Sequence, residues 1–353
     1  MKSAKNLYFY IILAIIFSIA YIVFAIKPLG TEYQFTPEWK IDVTNPSLSK
    51  PEEDQTLLPF KLGQTLGYFT PDGKVTTFVT FPQKASISKN FYTYYNNNNT
   101  AAEYFTPDGK SAGKISITGF PMIDDSRIFV FLPGGSSLVK CTPEGKREWE
   151  YGGAVPITAF DSSDNAIVLG FADGNICEFS HNGTLLQRFT PGGSDNPVIL
   201  GAAVSKSGKY IATVSGQNKQ RFVLAKRDEA QTKITAHEFL NSKEPSQKLV
   251  KFSSDDSTVY YATENELGIA DVATGKKSHL KINGNALALQ EAENTVFLLS
   301  KKGDTYTVYI IEKFATLIGS FTFQADSAFI LTNENKLYIG KDSTISCISI
   351  SKK

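Results

Sequence analysis

Thr70-Pro71-Asp72-Gly73-Lys74 recurs as Thr106-Pro107-Asp108-Gly109-Lys110 and as Thr142-Pro143-Glu144-Gly145-Lys146. The three glycines stand at equal steps of 36 residues, so the recurrence marks a repeated structural unit rather than chance turns. Proline presets φ for the second position of a type I turn, Asp or Glu tolerates the third, and glycine accepts the left-handed position that follows. Together they specify a three-residue hairpin loop with a bulge, each copy joining two antiparallel strands.

The composition agrees. With 25 Phe and 16 Tyr against 2 Met, the apolar content favours strand-forming aromatics, and no stretch beyond residue 26 sustains a helical apolar period over four turns. The chain reads as all-β. Lys plus Arg (36) and Asp plus Glu (35) nearly cancel, which removes the positive field that nucleic-acid binding requires. Cys141, Cys177 and Cys347 are odd in number, lack paired spacing and each sit in an apolar alternating run, so they read as small buried hydrophobes, with one bridge still open to them.

Residues 7–26 read LYFYIILAIIFSIAYIVFAI without a charge. About twenty residues at 1.5 Å rise span roughly 30 Å, the hydrocarbon thickness of a bilayer. The run is longer than a signal-peptide core and no small-x-small cleavage site follows it cleanly, so an uncleaved transmembrane helix is expected. Lys2 and Lys5 before the run favour a cytoplasmic tail over residues 1–6 and place the remainder outside the cytoplasm, in the periplasm if the cell is bacterial. Residues 27–43 then form a stem, with a degenerate copy of the turn at Thr36-Pro37-Glu38 and a strand over 39–43.

Residues 44–353 fall into units of four short strands. In one unit these are 157–160, 166–171, 175–180 and 184–190, separated by Asp161–Asn165, Ala172-Asp173-Gly174 and His181-Asn182-Gly183. The opening hairpins follow a small-x-Ser-x-Asp/Ser-Gly pattern, as in Val204-Ser205-Lys206-Ser207-Gly208-Lys209-Tyr210, and Thr142–Lys146 is followed by Trp149. With these features the units resemble blades of the WD40-like and quinoprotein-like β-propeller repeats, from about residue 33 onward. The resemblance implies a propeller and is silent on ligand and reaction.

Openings near Ser49, Ser88, Asp124, Asp161, Ser205, Ser253, Glu291 and Thr332 give eight blades; seven remain if residues 47–63 contribute no strands. The last unit shows three strands, which would leave an exposed edge in an unclosed ring. The strand over 39–43 has no blade of its own and is the expected fourth member.

No cluster of residues calls for a catalytic role, a metal or a cofactor. His181, His237 and His279 are scattered, and Asp124-Asp125 and Asp255-Asp256 occupy hairpin slots where Asp serves the turn. Partner contact is expected on polar loops of one rim, at Asn96 and Asn98, at Asn218 and Lys219, and in a long link between blades at Glu238 and Lys243. The function expected is a noncatalytic scaffold for other membrane or envelope proteins, in an assembly or transport complex. The alternative is a membrane-tethered enzyme or small-ligand receptor working through the propeller channel, favoured if acids, histidines or arginines converge there.

Overall fold

The computed structural model describes residues 13–21, 33–96, 100–193, 195–228, 231–312 and 315–352. Two compact units divide the chain, 1–36 with 349–353 and 37–348. In the first, residues 13–21 are helical and the Ser349 hydroxyl donates to the Thr36 carbonyl at 3.3 Å. The rest of the run 7–26 lies outside the described residues. No helix among the described residues is long and apolar enough to cross a membrane.

The second unit is all-β and holds eight antiparallel sheets in chain order, an eight-bladed propeller. Blades 2 to 7 (84–115, 120–152, 157–189, 199–239, 250–281 and 285–324) are four-stranded meanders whose first strand is innermost. The innermost strands of blades 2 and 3, of 4, 5 and 6, and of 7 and 8 lie against each other, hydrogen bonds join blades 3 and 4 and blades 6 and 7, and blade 1 touches blades 2 and 8, so the ring closes. The four strands expected for blade 4 appear within two residues of their bounds, as Ile157–Ser162, Ile167–Phe171, Ile176–Phe179 and Leu185–Phe189.

Closure falls where the open edge requires it. Blade 8 comprises Ala328–Asn333, Lys336–Lys341 and Thr344–Lys352, and its outermost member is Tyr33–Asp42. The Val43 amide donates to the Ser343 carbonyl at 2.7 Å, and Lys336 Nζ holds Glu38 at 2.7 Å. The degenerate turn expected at Thr36-Pro37-Glu38 does not form: without a glycine for the left-handed position, those residues continue as strand.

Blade 1 departs from the pattern. It has three strands, Leu58–Leu62, Thr65–Phe69 and Val75–Thr80. The turn Thr70–Lys74 joins its last two, as the turns at 106–110 and 142–146 join the third and fourth strands of blades 2 and 3, so its innermost place holds no strand. The opening expected near Ser49 is not built. Residues 47–57, interrupted by Pro51, pass outside instead, with the Ser49 amide bonded to the Val75 carbonyl at the start of the outermost strand. Leu58–Leu62 falls within 47–63, which settles the count at eight.

The recurring turn forms as its residues dictate. Gly73 takes φ +88°, Thr70 N and Gly73 N bond to Lys74 O and Thr70 O at 2.9 Å, and the register slips beside it at Tyr68/Phe69. The Thr70 hydroxyl and the Lys74 amine converge on the Asp72 carboxylate, holding it below the usual carboxylate range, the lysine bond first. The same bonds from Lys110 and then Thr106 hold Asp108 at about 2.

The equal spacing has a physical reason. In each turn the carbonyl of the second residue faces the preceding blade and accepts a bond from it. Trp39 Nε1 of blade 8 donates to Pro71 O at 3.2 Å, Thr77 of blade 1 to Pro107 O, Tyr104 of blade 2 to Pro143 O, and Trp149 Nε1 of blade 3 to His181 O at 2.9 Å. A Cβ on Gly73 would stand 3.0 Å from the Trp39 ring, and one on Gly183 2.8 Å from Trp149, so glycine also clears the space for the donor. Trp39 packs edge-on to Phe69 at 6.1 Å and against Tyr338 at 5.8 Å, in the cluster that joins blades 8 and 1.

Trp39→Ala is expected to cost about 3 kcal/mol and Trp39→Phe, which spares most of the packing, about 1 kcal/mol. Chemical denaturation should give the same ordering for Trp149, and a Trp39→Ala loss within about 0.5 kcal/mol of zero would contradict the role assigned to that side chain.

Candidate functional site

Turns between second and third strands share one face of the ring with the links that join blades. In blade 5, residues 216–220 form such a turn, and Asn218 and Lys219 are exposed on it. Gln220 is fully buried beneath them, its Nε2 donating to Glu244 O at 2.6 Å and its backbone carbonyl accepting the Leu240 amide at 2.8 Å. That buried amide binds the turn to the link of residues 240–249, on which Lys243 is exposed. Beside them Phe239 is 62 % exposed, with the Arg221 guanidinium 5.7 Å above its ring. Arg221 is itself fixed by a 2.8 Å bond to Pro191 O. Asn218, Lys219, Lys243, Arg221 and Phe239 therefore gather at one corner of blade 5, and its aromatic and arginine pair is the composition that anchors protein interfaces.

The other expected residues lie elsewhere. Glu238 is not in the link, because the strand Gln231–Phe239 runs through it. Its carboxylate accepts the Tyr261 hydroxyl and lies 3.3 Å from His279 Nε2, joining blade 5 to blade 6. Asn96 is exposed in the corresponding turn of blade 2, three blades away, and Asn98 lies outside the described residues. Sequence reading missed Phe239 and Arg221. The alternation Ala236-His237-Glu238-Phe239 breaks the apolar-in pattern at its last residue, and that break was the available signal.

The channel has two zones. Near the link face a cavity of about 350 Å³ is walled by the small residues Ala159, Gly201, Ala202 and Ala286, with Phe160 and Leu287 at its side and Gln247 and Lys248 across it. Gly201 is required there: a Cβ would meet the Lys248 carbonyl at 2.4 Å, so its absence lets the link fold over the innermost strand. Burial lowers the Lys248 amine from its ordinary value.

At the opposite, opening-hairpin end the channel is charged. Asp124 accepts from the Ser162 hydroxyl and from Arg127 at 3.0 Å, and Arg127 reaches on to Asp164 at 3.0 Å. Asp161 accepts the Val204 amide at 2.9 Å, Asp256 takes the Lys206 and Ser207 amides at 2.7 and 2.8 Å, and Glu291 takes the Ser254 amide at 3.0 Å. Lys251 Nζ donates to Leu289 O at 2.9 Å. Every one of these bonds crosses from one blade to its neighbour, apart from that between Arg127 and Asp124. The acids that read as turn residues do serve turns, with Asp125 and Asp256 at φ +55° and +58°, and they also tie the ring together around its axis.

Burial pushes the Asp161 carboxyl up to about 7, and the charge of Asp124 adds to it against the bond from Val204. Burial likewise lowers Lys251, countered by Glu291, Asp161 and Asp124. Among the described residues no group of three or more His, Cys, Asp or Glu side chains could hold a metal ion. The three cysteines are free and buried, and burial pushes Cys141 and Cys347 up to about 11.

An acid with a raised folded-state pKa keeps its proton while the unfolded chain loses it, so stability falls as pH rises from about 4 to about 7. Relative to Asp161→Asn, which keeps an acceptor for Val204, the parent should lose on the order of 4 kcal/mol over that window. Parallel pH–denaturation curves for the two proteins would contradict it.

The family described as beta-propeller protein matches residues 1–353, and the chain belongs to it. A protein of Treponema pallidum (strain Nichols), described as uncharacterized, is 28 % identical over 362 residues, covering 99 % of this chain and 96 % of its own. Among solved structures, BamB from Moraxella catarrhalis superposes with TM-score 0.61 at 12 % identity, over 90 % of this chain and 100 % of BamB. Sqt1 of Saccharomyces cerevisiae does so with TM-score 0.64 at 11 % identity, over 90 % of this chain and 99 % of Sqt1. At such identities these two likenesses establish the fold alone.

Proposed function

We propose that this member of the β-propeller family is a noncatalytic interaction scaffold, anchored in a membrane by residues 7–26 and displaying its ring outside the cytoplasm to other membrane or envelope proteins. An envelope assembly or transport complex is the setting this reading favours. The observation that carries it is the corner of blade 5, where Phe239 stands exposed under Arg221 among Asn218, Lys219 and Lys243. The channel supports it from the other side. Its acids, Lys251 and Arg127 are engaged in holding blades together, and its wall at the link face is built largely of small residues.

The anchor rests on sequence, a run of about twenty uncharged residues of bilayer length. A second reading, a small-ligand receptor or tethered enzyme, draws on the cavity of about 350 Å³ with Asp161 at its inner end.

The test is affinity capture of the full chain from detergent-solubilised membranes of its own cell, beside Phe239→Ser. Phe239 is exposed, so the variant keeps its fold. The scaffold reading expects partner proteins with the parent chain and at least tenfold less with Phe239→Ser. Recovery of the parent chain alone at several detergent strengths, or equal partner recovery by the variant, would overturn it.

A further inference from the structure

Seven blades guard their outer edge. The outermost strands of blades 2 to 6 carry Lys114, then Arg147, Glu148 and Glu150, then Arg188, then Lys233 and Glu238, then Lys277 and Lys281. That of blade 8 carries Pro37, Glu38, Lys40 and Asp42. In blade 1 the edge is uncharged, but it is only six residues long and residues 47–57 reach its start through the bond between Ser49 and Val75. Charge, proline and covering segments are the devices that stop one sheet edge from pairing with another.

Among the described residues blade 7 has none of them. Its outermost strand, Thr316–Gln324, reads TLIGSFTFQ: nine residues with no charge and no proline, and it ends its sheet. Its two faces differ. Gly319, Phe321 and Phe323 are half-buried on one, and Ser320, Thr322 and Gln324 are exposed on the other.

Gly319 is the second anomaly. It is not among the glycines with positive φ, and nothing lies within 4 Å of where its Cβ would be, so neither backbone strain nor crowding requires glycine there. What the glycine does provide is an open notch in the apolar face, two residues from Phe321 and four from Phe323.

We propose that this edge pairs with the same edge of a second copy of the chain, antiparallel, about a two-fold axis through Phe321. In that register Phe321 meets its own copy, and Phe323 of each chain lies over the Gly319 notch of the other, an aromatic filling the gap opposite a strand glycine. On the other face Ser320 stands opposite Thr322 in both directions, a hydroxyl pair of the kind that stabilises neighbouring strands. Beyond these pairs the strand bulges at Ile318, and neither that end nor Gln324 brings a charge to the seam. A foreign extended segment could use the same backbone groups, but it would have to bring its own aromatic to the notch; a second copy already has one in place. The two blades 7 then form one continuous eight-stranded sheet, which leaves the corner of blade 5 free for other partners.

The test is the mass of the full chain in detergent at about 10 μM, by sedimentation, for three proteins. The parent should be a dimer. Ser320→Lys/Thr322→Lys, at two exposed positions, sets lysines opposite lysines and should weaken the dimer at least tenfold. Mixing it with Ser320→Glu/Thr322→Glu should restore pairing as a mixed dimer, which loss of fold would not allow. Phe321→Cys should cross-link to itself under mild oxidation, because the native cysteines are buried and strand partners on the axis approach to about 5 Å between Cα atoms. A monomeric parent overturns the proposal, and so does a dimer that survives the lysines without cross-linking at position 321. A monomer whose Thr316–Gln324 amides become protected only with a foreign protein bound would assign the edge to a heterologous strand, and overturns it equally.

Discussion

The carbonyl of the second turn residue, offered to a donor on the preceding blade, is the constraint on which the architecture depends. Pro71, Pro107, Pro143 and His181 each present one, and Trp39, Thr77, Tyr104 and Trp149 fill them in succession around four junctions of the ring. Proline suits the position because its φ is preset and its missing N–H asks for nothing in return. Glycine two residues on turns the chain back and leaves room for an indole. The first of these junctions is the closure itself. Trp39 comes from the opposite end of the sequence to the blade it completes, yet it makes the bond that Trp149 makes within a continuous stretch of chain. The chain's two tryptophans thus do the same work at two places, and at one of them that work joins the ends of the ring.

A second set of bonds runs around the axis. Asp124, Asp161, Asp256 and Glu291 stand near the opening hairpins and bond to the hydroxyls or amides of an adjacent blade. Sockets on the outside run from blade 8 to blade 4 and acids on the inside from blade 3 to blade 7, so every blade is tied to a neighbour, which makes the ring a stiff platform. Stiffness suits a scaffold, since an exposed anchor such as Phe239 binds a partner best when little must be ordered to present it. The channel acids have a cost: Asp161 is pushed toward neutrality by the same enclosure that lets it join blades 4 and 5.

Much of this was legible in the chain. The turn Thr70–Lys74 announced its own hairpin, because proline and glycine restrict the backbone locally, and its spacing announced a repeat. The missing fourth strand of the last unit required a partner, and only 39–43 was left to supply it. What escaped reading was set by contacts between blades. Residues 47–57 look like any opening hairpin interrupted by proline, and nothing local tells that they run outside the sheet. Glu238 looked like a loop residue because Glu is rare in strands, whereas Tyr261 and His279 of the next blade give it partners there. Phe239 was passed over because one exposed aromatic at a strand end has no period to reveal it. Asp256 was assigned to its turn correctly, but its bonds to Lys206 and Ser207 connect residues about fifty positions apart.

The claim that the ring is closed by Trp39 and the strand around it is tested most directly by native-state hydrogen exchange of the amides from Lys40 to Val43 and from Ile345 to Cys347. If the closing strand is an integral part of the ring, these amides exchange only by global unfolding, with the same free energy and denaturant dependence as the core strand Ile167–Phe171 of blade 4. Exchange through a separate local opening, several kcal/mol below the global value and insensitive to denaturant, would mean that the ring stands without its clasp and would contradict the account.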